Sequence, residues 1–404
     1  MTYKSEFLQT LERRGYIHQL TDADAIDARA AKPGLIAYVG FDLTGPSLHI
    51  GHLMSIMMLR RLQQHGGKPI ALMGGGTTKV GDPSGKDSQR QMLDQATIDA
   101  NKASIRRVFE RFLTFGDGPS DAVMADNADW LEKLNYIDFL RDYGRHFSVN
   151  RMLTMDSVRL RLERDQPLSF IEFNYMVLQS YDFVELNRRY GCVMQMGGSD
   201  QWGNITQGID LGRRVSGADL FGLTTPLITN ADGSKMGKTA GGAVWLNREQ
   251  LPDWDYWQFW RNVDDRDVGK FLRLFTDMPD AEIARLEALE GAEINDAKIA
   301  LANAATTLCR GADAAATAEA TARATFAEGG AGEALPSFAV PAPVALVDAL
   351  VLTGLAASKG EARRKLGENA VRIDGEPASD PALLVSPPAK LSLGKKRHAL
   401  LIRP

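Results

Sequence analysis

The chain has 404 residues, 44% of them hydrophobic and 24% charged, with two cysteines and a formal net charge of −4. Such a length allows two or three domains and an ample core without disulfides or metals. The composition excludes a disordered, collagen-like or disulfide-built scaffold. No run approaches the roughly 18 unbroken apolar residues of a spanning helix. The opening MTYKSEFLQTLERRG has no signal-peptide core, so a cytoplasmic protein without membrane contact is expected. The net charge hides an asymmetry. From Ser358 to Pro404 ten Lys or Arg face five Asp or Glu, a local +5, which leaves −9 on the rest of the chain. An acidic body with a basic tail points as readily to a nucleic-acid partner as to a solvated surface.

Short apolar runs alternate with amphipathic ones up to about residue 230. Gly34 to Asp42 (GLIAYVGFD) reads as a buried strand, His49 to Gln64 as a helix with Ser47 as its N-cap, and Pro69 to Met73 as a second strand. Ala122 to Ala125, Cys192 to Met196 and Leu223 to Thr229 are the next three strands. This alternation predicts an α/β fold with a parallel sheet covered by helices on both faces. The aromatic-rich segment from about 130 to 187 interrupts the rhythm and reads as a helical insertion. Helices are expected from Glu249 to Phe326, with Trp254, Trp257 and Trp260 as core and an Ala-rich helical stretch from Ala302 to Ala327. The predicted layout is an α/β domain over 1–230, a loop and helical domain over 231–327, a Gly/Pro-rich linker over 328–343 and a small domain over 344–404.

Three polar, glycine-containing clusters fall at strand ends: Gly40 to His52 (GFDLTGPSLHIGH), Gly74 to Lys86 (GGGTTKVGDPSGK) and Gly197 to Asn204 (GGSDQWGN). Ligands of an open parallel sheet bind at that edge, so their convergence predicts an enzyme site. His49 and His52 fall on the first turn of a helix, where backbone N–H groups attract an anion and Gly51 permits close approach. Ordinary structural histidines and a metal pair are the competing readings, but no third ligand stands at a suggestive spacing. Gly233 to Thr239 (GSKMGKT) is one residue short of a P-loop, yet its lysines, Lys235 and Lys238, suit a polyphosphate.

HIGH at 49–52 followed by KMGKT at 235–239 resembles the paired signatures of class I aminoacyl-tRNA synthetases. YVGFDLT at 38–44, YMVLQSYD at 175–182 and GGSDQWGN at 197–204 narrow the resemblance to the bacterial-type tyrosyl-tRNA synthetases. The resemblance implies a Rossmann-type catalytic domain with a helical, dimer-forming insertion bearing Phe170 at its interface, a helical domain and a small α+β RNA-binding tail. It implies that Tyr38 and Asp182 meet the substrate hydroxyl, and that Asp82, Tyr175 and Gln179 surround the ammonium group. Gln201 would lie near the carboxyl or α-phosphate. Thr44, His49 and His52 would hold the polyphosphate, with Lys235, Lys238 and Thr239 closing over it. ATP would also meet Gly40, Asp42, Gly51 and Asp200, its phosphates carrying Mg²⁺ without a protein cage. In the tail, Leu355 to Gly375 resembles a small RNA-binding domain shared with a ribosomal protein. Lys359, Arg363, Arg364 and Lys365 would contact tRNA(Tyr), extended by Lys395, Lys396 and Arg397. Gly237 stands where the general class form of the loop has Ser. The implied activity is a homodimeric tyrosine-tRNA ligase. The alternatives are a catalytically silent RNA-binding relative and tryptophanyl-type specificity on the same architecture.

Overall fold

The computed structural model describes residues 3–84, 92–234, 236–239, 242–326, 335–394 and 397–404, with the backbone alone at 238 and 239. Helix α1 (Glu6–Arg14) and strand β1 (Gln19–Leu20) lead into α2 (Ala23–Ala30), β2 (Ile36–Asp42), α3 (Ile50–Gln64), β3 (Lys68–Gly74), α4 (Gln95–Phe112) and β4 (Val123–Asp126). Four short helices follow, α5 (Ala128–Leu131), α6 (Tyr136–Asp142), α7 (Val149–Leu153) and α8 (Asp156–Glu163), and then the long α9 (Phe170–Tyr190). Strand β5 (Met194–Gly198), α10 (Trp202–Ser216) and β6 (Phe221–Thr225) complete the sheet, ahead of the hairpin β7 (Lys238–Thr239) and β8 (Gly242–Ala243). Helices α11 (Asp253–Arg261), α12 (Val268–Phe275), α13 (Asp280–Glu287), α14 (Ile294–Arg310) and α15 (Ala312–Phe326) come next. The tail holds β9 (Ser337–Ala339), β10 (Val344–Ala345), α16 (Leu346–Leu352), α17 (Lys359–Gly367), β11 (Val371–Ile373), β12 (Glu376–Pro377), β13 (Leu384–Val385), β14 (Ala389–Leu393) and β15 (Arg397–Ile402).

The chain forms two compact units, Met1–Gln250 with Val263–Ala297, and Leu251–Asn262 with Lys298–Pro404. In the first, the sheet order is β1-β6-β5-β2-β3-β4, parallel from β6 to β4, with β1 antiparallel at the edge. The predicted parallel α/β architecture is therefore present. The two residues of β1 carry no periodicity, which is why the edge strand escaped the sequence reading. Strand β2 lies between β3, its successor, and β5, so the winding reverses there and opens a crevice at the strands' carboxyl ends. Tyr38 of β2 pairs in register with Gln195 of β5 across that crevice. Helix α3 is apolar almost all round and buries Leu53, Met54, Ile56, Met57, Met58, Leu59 and Leu62. An all-round apolar helix is a buried one, and this burial holds its N-terminus at the sheet edge.

The structure departs from the expected layout in four places. Ser47 does not cap α3. His49 does, while the Ser47 hydroxyl donates to Leu48 O and accepts from Asn247 N–H. The Ala-rich stretch is two helices rather than one, because Gly311 adopts φ 99° between α14 and α15. The expected linker falls partly on 328–334, outside the described residues, but its second half is structural. Its strand β9 pairs in parallel with β15, and Leu335 and Val340 are buried. Finally, α12 and α13 belong to the first unit rather than to one helical body over 231–327. Two buried guanidiniums capture the turn between them: Arg61 donates to Asp277 Oδ1 at 2.6 Å and to Thr276 O, and Arg14 donates to Thr276 O at 3.0 Å and Met278 O at 2.6 Å.

In the second unit, Trp254, Trp257 and Trp260 of α11 are all buried, with the first two stacked 6.1 Å apart and Trp257 Nε1 donating to Asn303 at 2.8 Å. The tail is α+β. Its five-stranded sheet β12-β11-β14-β15-β9 shares an apolar core with α16 and α17 that includes Leu346, Leu350, Leu366, Leu391 and Leu401.

The R61M variant loses charge-assisted bonds from a guanidinium that is 4% exposed. It should lower unfolding free energy in urea by about 2–3 kcal/mol. A loss under about 0.5 kcal/mol would mean that the α12–α13 turn is held by packing alone.

Candidate active site

A cavity of about 470 Å³ opens at the carboxyl edge of the sheet. Of the residues expected at the site, Tyr38, Gly40, Asp42, Thr44, His49, Gly51 and His52 line it from β2 and the start of α3. Asp82, Tyr175, Gln179, Asp182, Asp200 and Gln201 line it from the other strand ends and α9. Lys235 lies outside the described residues, as do Lys395 and Lys396. The backbone of Lys238 and Thr239 pairs with β8 in the hairpin.

At one end of the cavity is the first turn of α3. His49 is its N-cap: its Nδ1 accepts from Gly51 N–H at 3.0 Å, and Nδ1 of His52 accepts from His49 N–H at 3.2 Å. Each Nδ1 therefore presents a lone pair, which puts the proton of each neutral ring on Nε2. The two rings, tilted at 49° with centroids 4.1 Å apart, thus form a pair of Nε2–H donors at a positive helix end. Gly51 is required by contact, because a Cβ there would lie 2.7 Å from the His49 ring. The segment after the hairpin returns onto this turn: Ile50 N–H donates to Val244 O at 3.0 Å and Leu246 N–H to Leu48 O at 2.8 Å. Gly237, at φ 91°, passes so close that a Cβ would sit 3.3 Å from Gly51 N. A Ser there would be strained and crowded, which accounts for the departure from the general form of the loop.

At the opposite end lie Tyr38 and Asp182, both buried. The Tyr38 hydroxyl has no partner among the described residues. Burial and the nearby Asp182 charge raise its pKa well above the usual phenol value, so it stays protonated. Asp182 accepts from Trp130 Nε1 at 2.7 Å on Oδ1 and from Asn127 Nδ2 at 3.0 Å on Oδ2. Burial pushes its pKa up to about 7, these two bonds pull against that rise, and Asp42 and Asp126 add to it. Asn127 also donates to Thr77 Oγ1, which donates to Asp42 Oδ1 at 2.8 Å. Tyr175 O–H donates to Asp42 Oδ2 at 3.1 Å. Asp42, expected near ATP, is thus tied to the residues beside Asp182.

Between the two ends runs an amide–carboxylate network. Gln201 Nε2 donates to Asp82 Oδ2 at 3.0 Å, Gln179 Nε2 to Gln201 Oε1 at 3.3 Å, and Asn204 Nδ2 to Gln179 Oε1 at 3.0 Å. Ser84 N–H fixes the other Asp82 oxygen at 2.9 Å. Side chains bonded this way are pre-set in orientation. In the second unit, Lys359, Arg363 and Arg364 are exposed on α17 and Lys365 is half-buried. Lys359 pairs with Asp348 at 2.6 Å and Lys365 with Glu368 at 2.7 Å.

Asn127 and Trp130 were missed in the sequence, and Thr77 and Asn204 were flagged only as members of their strand-end clusters, without a role. The strand-end rule that flagged three clusters was not applied to the third strand. Applied there, it would have flagged Asp126 and Asn127, which directly follow the expected Ala122–Ala125. Trp130 was read as the start of the insertion, whereas it supports Asp182 from α5.

Because native Asp182 holds its proton up to about pH 7 while an unfolded carboxyl releases it near 4, the native state binds more protons in between. Stability relative to the D182N variant should therefore fall as pH rises from about 4 to about 7, then level off. Thermal unfolding across that range checks this, and a difference independent of pH would show that Asp182 ionises normally.

Residues 30–327 match the family of class I tRNA synthetases for tryptophan and tyrosine (W and Y), and residues 327–400 match the SYY-like C-terminal domain of tyrosine–tRNA ligases. The chain is 62% identical to the tyrosine–tRNA ligase of Novosphingobium aromaticivorans over 99% of its own length and 98% of that protein's. It is 60% identical to that of Zymomonas mobilis, with the same coverage of each. A C-terminally truncated mitochondrial tyrosyl-tRNA synthetase from Coccidioides posadasii superposes with a TM-score of 0.68 at 32% identity, over 78% of this chain and 91% of that one. With a family match across most of its length and relatives aligned nearly end to end, the chain belongs to the tyrosine–tRNA ligase family of class I tRNA synthetases.

Proposed function

We propose that this protein activates L-tyrosine with ATP and transfers it to the 3′ end of tRNA(Tyr). The observation that carries this is the two-ended cavity. A buried, partnerless hydroxyl and a doubly held carboxyl stand at one end, and two Nε2–H donors on a helix N-terminus stand at the other. The first end suits a phenol hydroxyl, donating to Asp182 and accepting from Tyr38. A ligand lacking that hydroxyl leaves the buried Tyr38 hydroxyl without a partner and Asp182 without its third donor, a mode of rejection for which this family is itself the standard illustration. Asp82, with Tyr175, Gln179 and Gln201 around it, complements the ammonium group.

A tyrosine carboxylate oxygen attacks the α-phosphorus, the bond from that phosphorus to the bridging oxygen breaks, and pyrophosphate leaves. No protein nucleophile takes part. Rate comes from holding the two substrates together and from donors at the phosphates: the His49 and His52 Nε2–H groups, the Thr44 hydroxyl, and the lysines of the 235–239 loop. ATP also lies along Gly40, Gly51 and Asp200. Mg²⁺ enters on the phosphates. The carboxylates of Asp42 and Asp82 are engaged by Thr77, Tyr175, Ser84 and Gln201, which fits a cation held by phosphate oxygens and water.

The proposed assembly is a cytoplasmic homodimer through the insertion, where Tyr136, Ile137, Val149 and Phe170 stand exposed. Among the described residues no helix is long and apolar enough to cross a membrane. The α17 cations are proposed to contact tRNA phosphates.

Tyrosine-dependent ATP–pyrophosphate exchange without tRNA tests the reading. Exchange with tyrosine is expected. Its absence in folded protein favours the silent RNA-binding alternative, and faster exchange with tryptophan overturns the pocket assignment. K238A should slow exchange by about a hundredfold with tyrosine binding retained, a loss typical of a transition-state charge contact. Deleting residues 340–404 should spare exchange and impair tRNA charging. Equal loss of both would make the tail a folding element.

A further inference from the structure

Helix α9 carries more than the residues that face the cavity. Asp182, Glu185 and Arg189 follow at i, i+3 and i+7, one stripe of the helix. The indole of Trp130 lies across that stripe. Its edge donates to Asp182 Oδ1, and the Arg189 guanidinium carbon stands over its ring, 5.1 Å from the centroid. Arg189 is itself oriented, since its Nε donates to Glu185 Oε2 at 2.9 Å. Glu185 is buried and held on its other oxygen by Tyr181 O–H at 2.6 Å and Arg188 at 2.7 Å. Arg189 does not line the cavity, and nothing in the adenylation chemistry uses its ion pair.

We propose that Arg189, locked by Glu185, is a positioning residue for tyrosine specificity: it pins the Trp130 indole so that Nε1–H points at Asp182, which leaves that carboxyl aimed at the substrate hydroxyl. The inference rests on the tyrosine reading of the pocket. A cation over the face of an indole draws electron density from it and favours donation by the ring N–H. It also stops the ring from tilting, because displacement loses both contacts. The Trp130–Asp182 bond is one of the two that hold the Asp182 pKa down against burial. The other titratable groups that face it are Asp42 and Asp126, whose charges act on Asp182, and the Tyr38 and Tyr175 phenols, on which the Asp182 charge acts; Arg189 contacts none of them in any bond described.

The test compares R189M, which keeps the stem and removes the cation, with R189K, which keeps a cation over the ring. Pyrophosphate exchange is measured with tyrosine and with phenylalanine, across pH 6 to 9. In R189M the KM for tyrosine should rise by about three- to tenfold with kcat retained, the size of a partly solvated cation–π contact. Phenylalanine kinetics should be unchanged, so the discrimination ratio falls by the same factor. The pH at which tyrosine affinity changes should move upward, because a weaker indole donor lets the carboxyl keep its proton longer. R189K should restore most of the ratio. An unchanged ratio in R189M, an equal loss with both amino acids, or a failure of R189K to rescue overturns the role of Arg189. Absence of tyrosine exchange in the wild-type protein instead overturns the underlying reading. Should R189M fail to fold, R189K and E185Q carry the same comparison, with E185Q expected to lower the ratio and R189K to keep it.

Discussion

The constraint around which the rest of the structure is arranged is the burial of one carboxyl group, Asp182, at the carboxyl edge of a parallel sheet. An acid in that position must be either neutral or held by donors. Here it is both hard to ionise and doubly held. The donors come from Asn127 and Trp130, so β4 must end where it does and α5 must turn back at once. The acid comes from α9, so that helix must cross the sheet edge rather than stay within the insertion. Its capping box at Ser169 and Glu172 starts the helix, and Gly191, at φ 67°, stops it just before β5. Glu172 is in turn paired with the buried Arg161 at 3.0 Å, which ties the start of α9 to α8. A large part of the insertion is thus the support of one side chain.

This dependence explains what was legible in the sequence. The parallel sheet was readable because each long strand is a short apolar run closed by Gly or a polar residue, and such runs are local. Tyr38, Asp82, Tyr175 and Gln201 were reachable through motif resemblance, and the structure gathers them at one cavity. Asn127 and Trp130 were not reached, because their importance is relational. An Asn after a strand and a Trp on a four-residue helix have no periodic signature; what matters is that both meet Asp182, more than fifty residues on. The same holds for Arg61 and Arg14, whose contacts at 276–278 decide which unit α12 and α13 join. Ser47 was misread for a different reason. Ser is the better cap by propensity, but the imidazole of His49 reaches Gly51 N–H, and the Ser47 hydroxyl is taken by Leu48 and Asn247.

The charge asymmetry read from composition also takes on a different meaning in three dimensions. The basic excess of the tail is partly internal: Lys359 and Lys365 already face Asp348 and Glu368. Exposed pairs of this kind contribute little to folding, typically under about 1 kcal/mol. They are therefore cheap to exchange for phosphate contacts. For the proposed contact with tRNA, the arrangement matters more than the +5 itself.

The described stems of the 229–247 segment, which carries the lysines proposed to meet the phosphates, are fixed on both sides. On the exit side, Val244, Leu246 and Asn247 are bonded to Ile50, Leu48 and Ser47. On the entry side, Ala231 N–H donates to Asp267 at 2.7 Å and Lys270 to Thr229 O at 2.8 Å. The exit stem is joined directly to the histidine-capped turn of α3. That backbone would hold the phosphates in the proposed reaction, and Gly237, which has no side chain, passes close beside it. In this family member the substitution of Gly for Ser trades a hydroxyl for that closer approach.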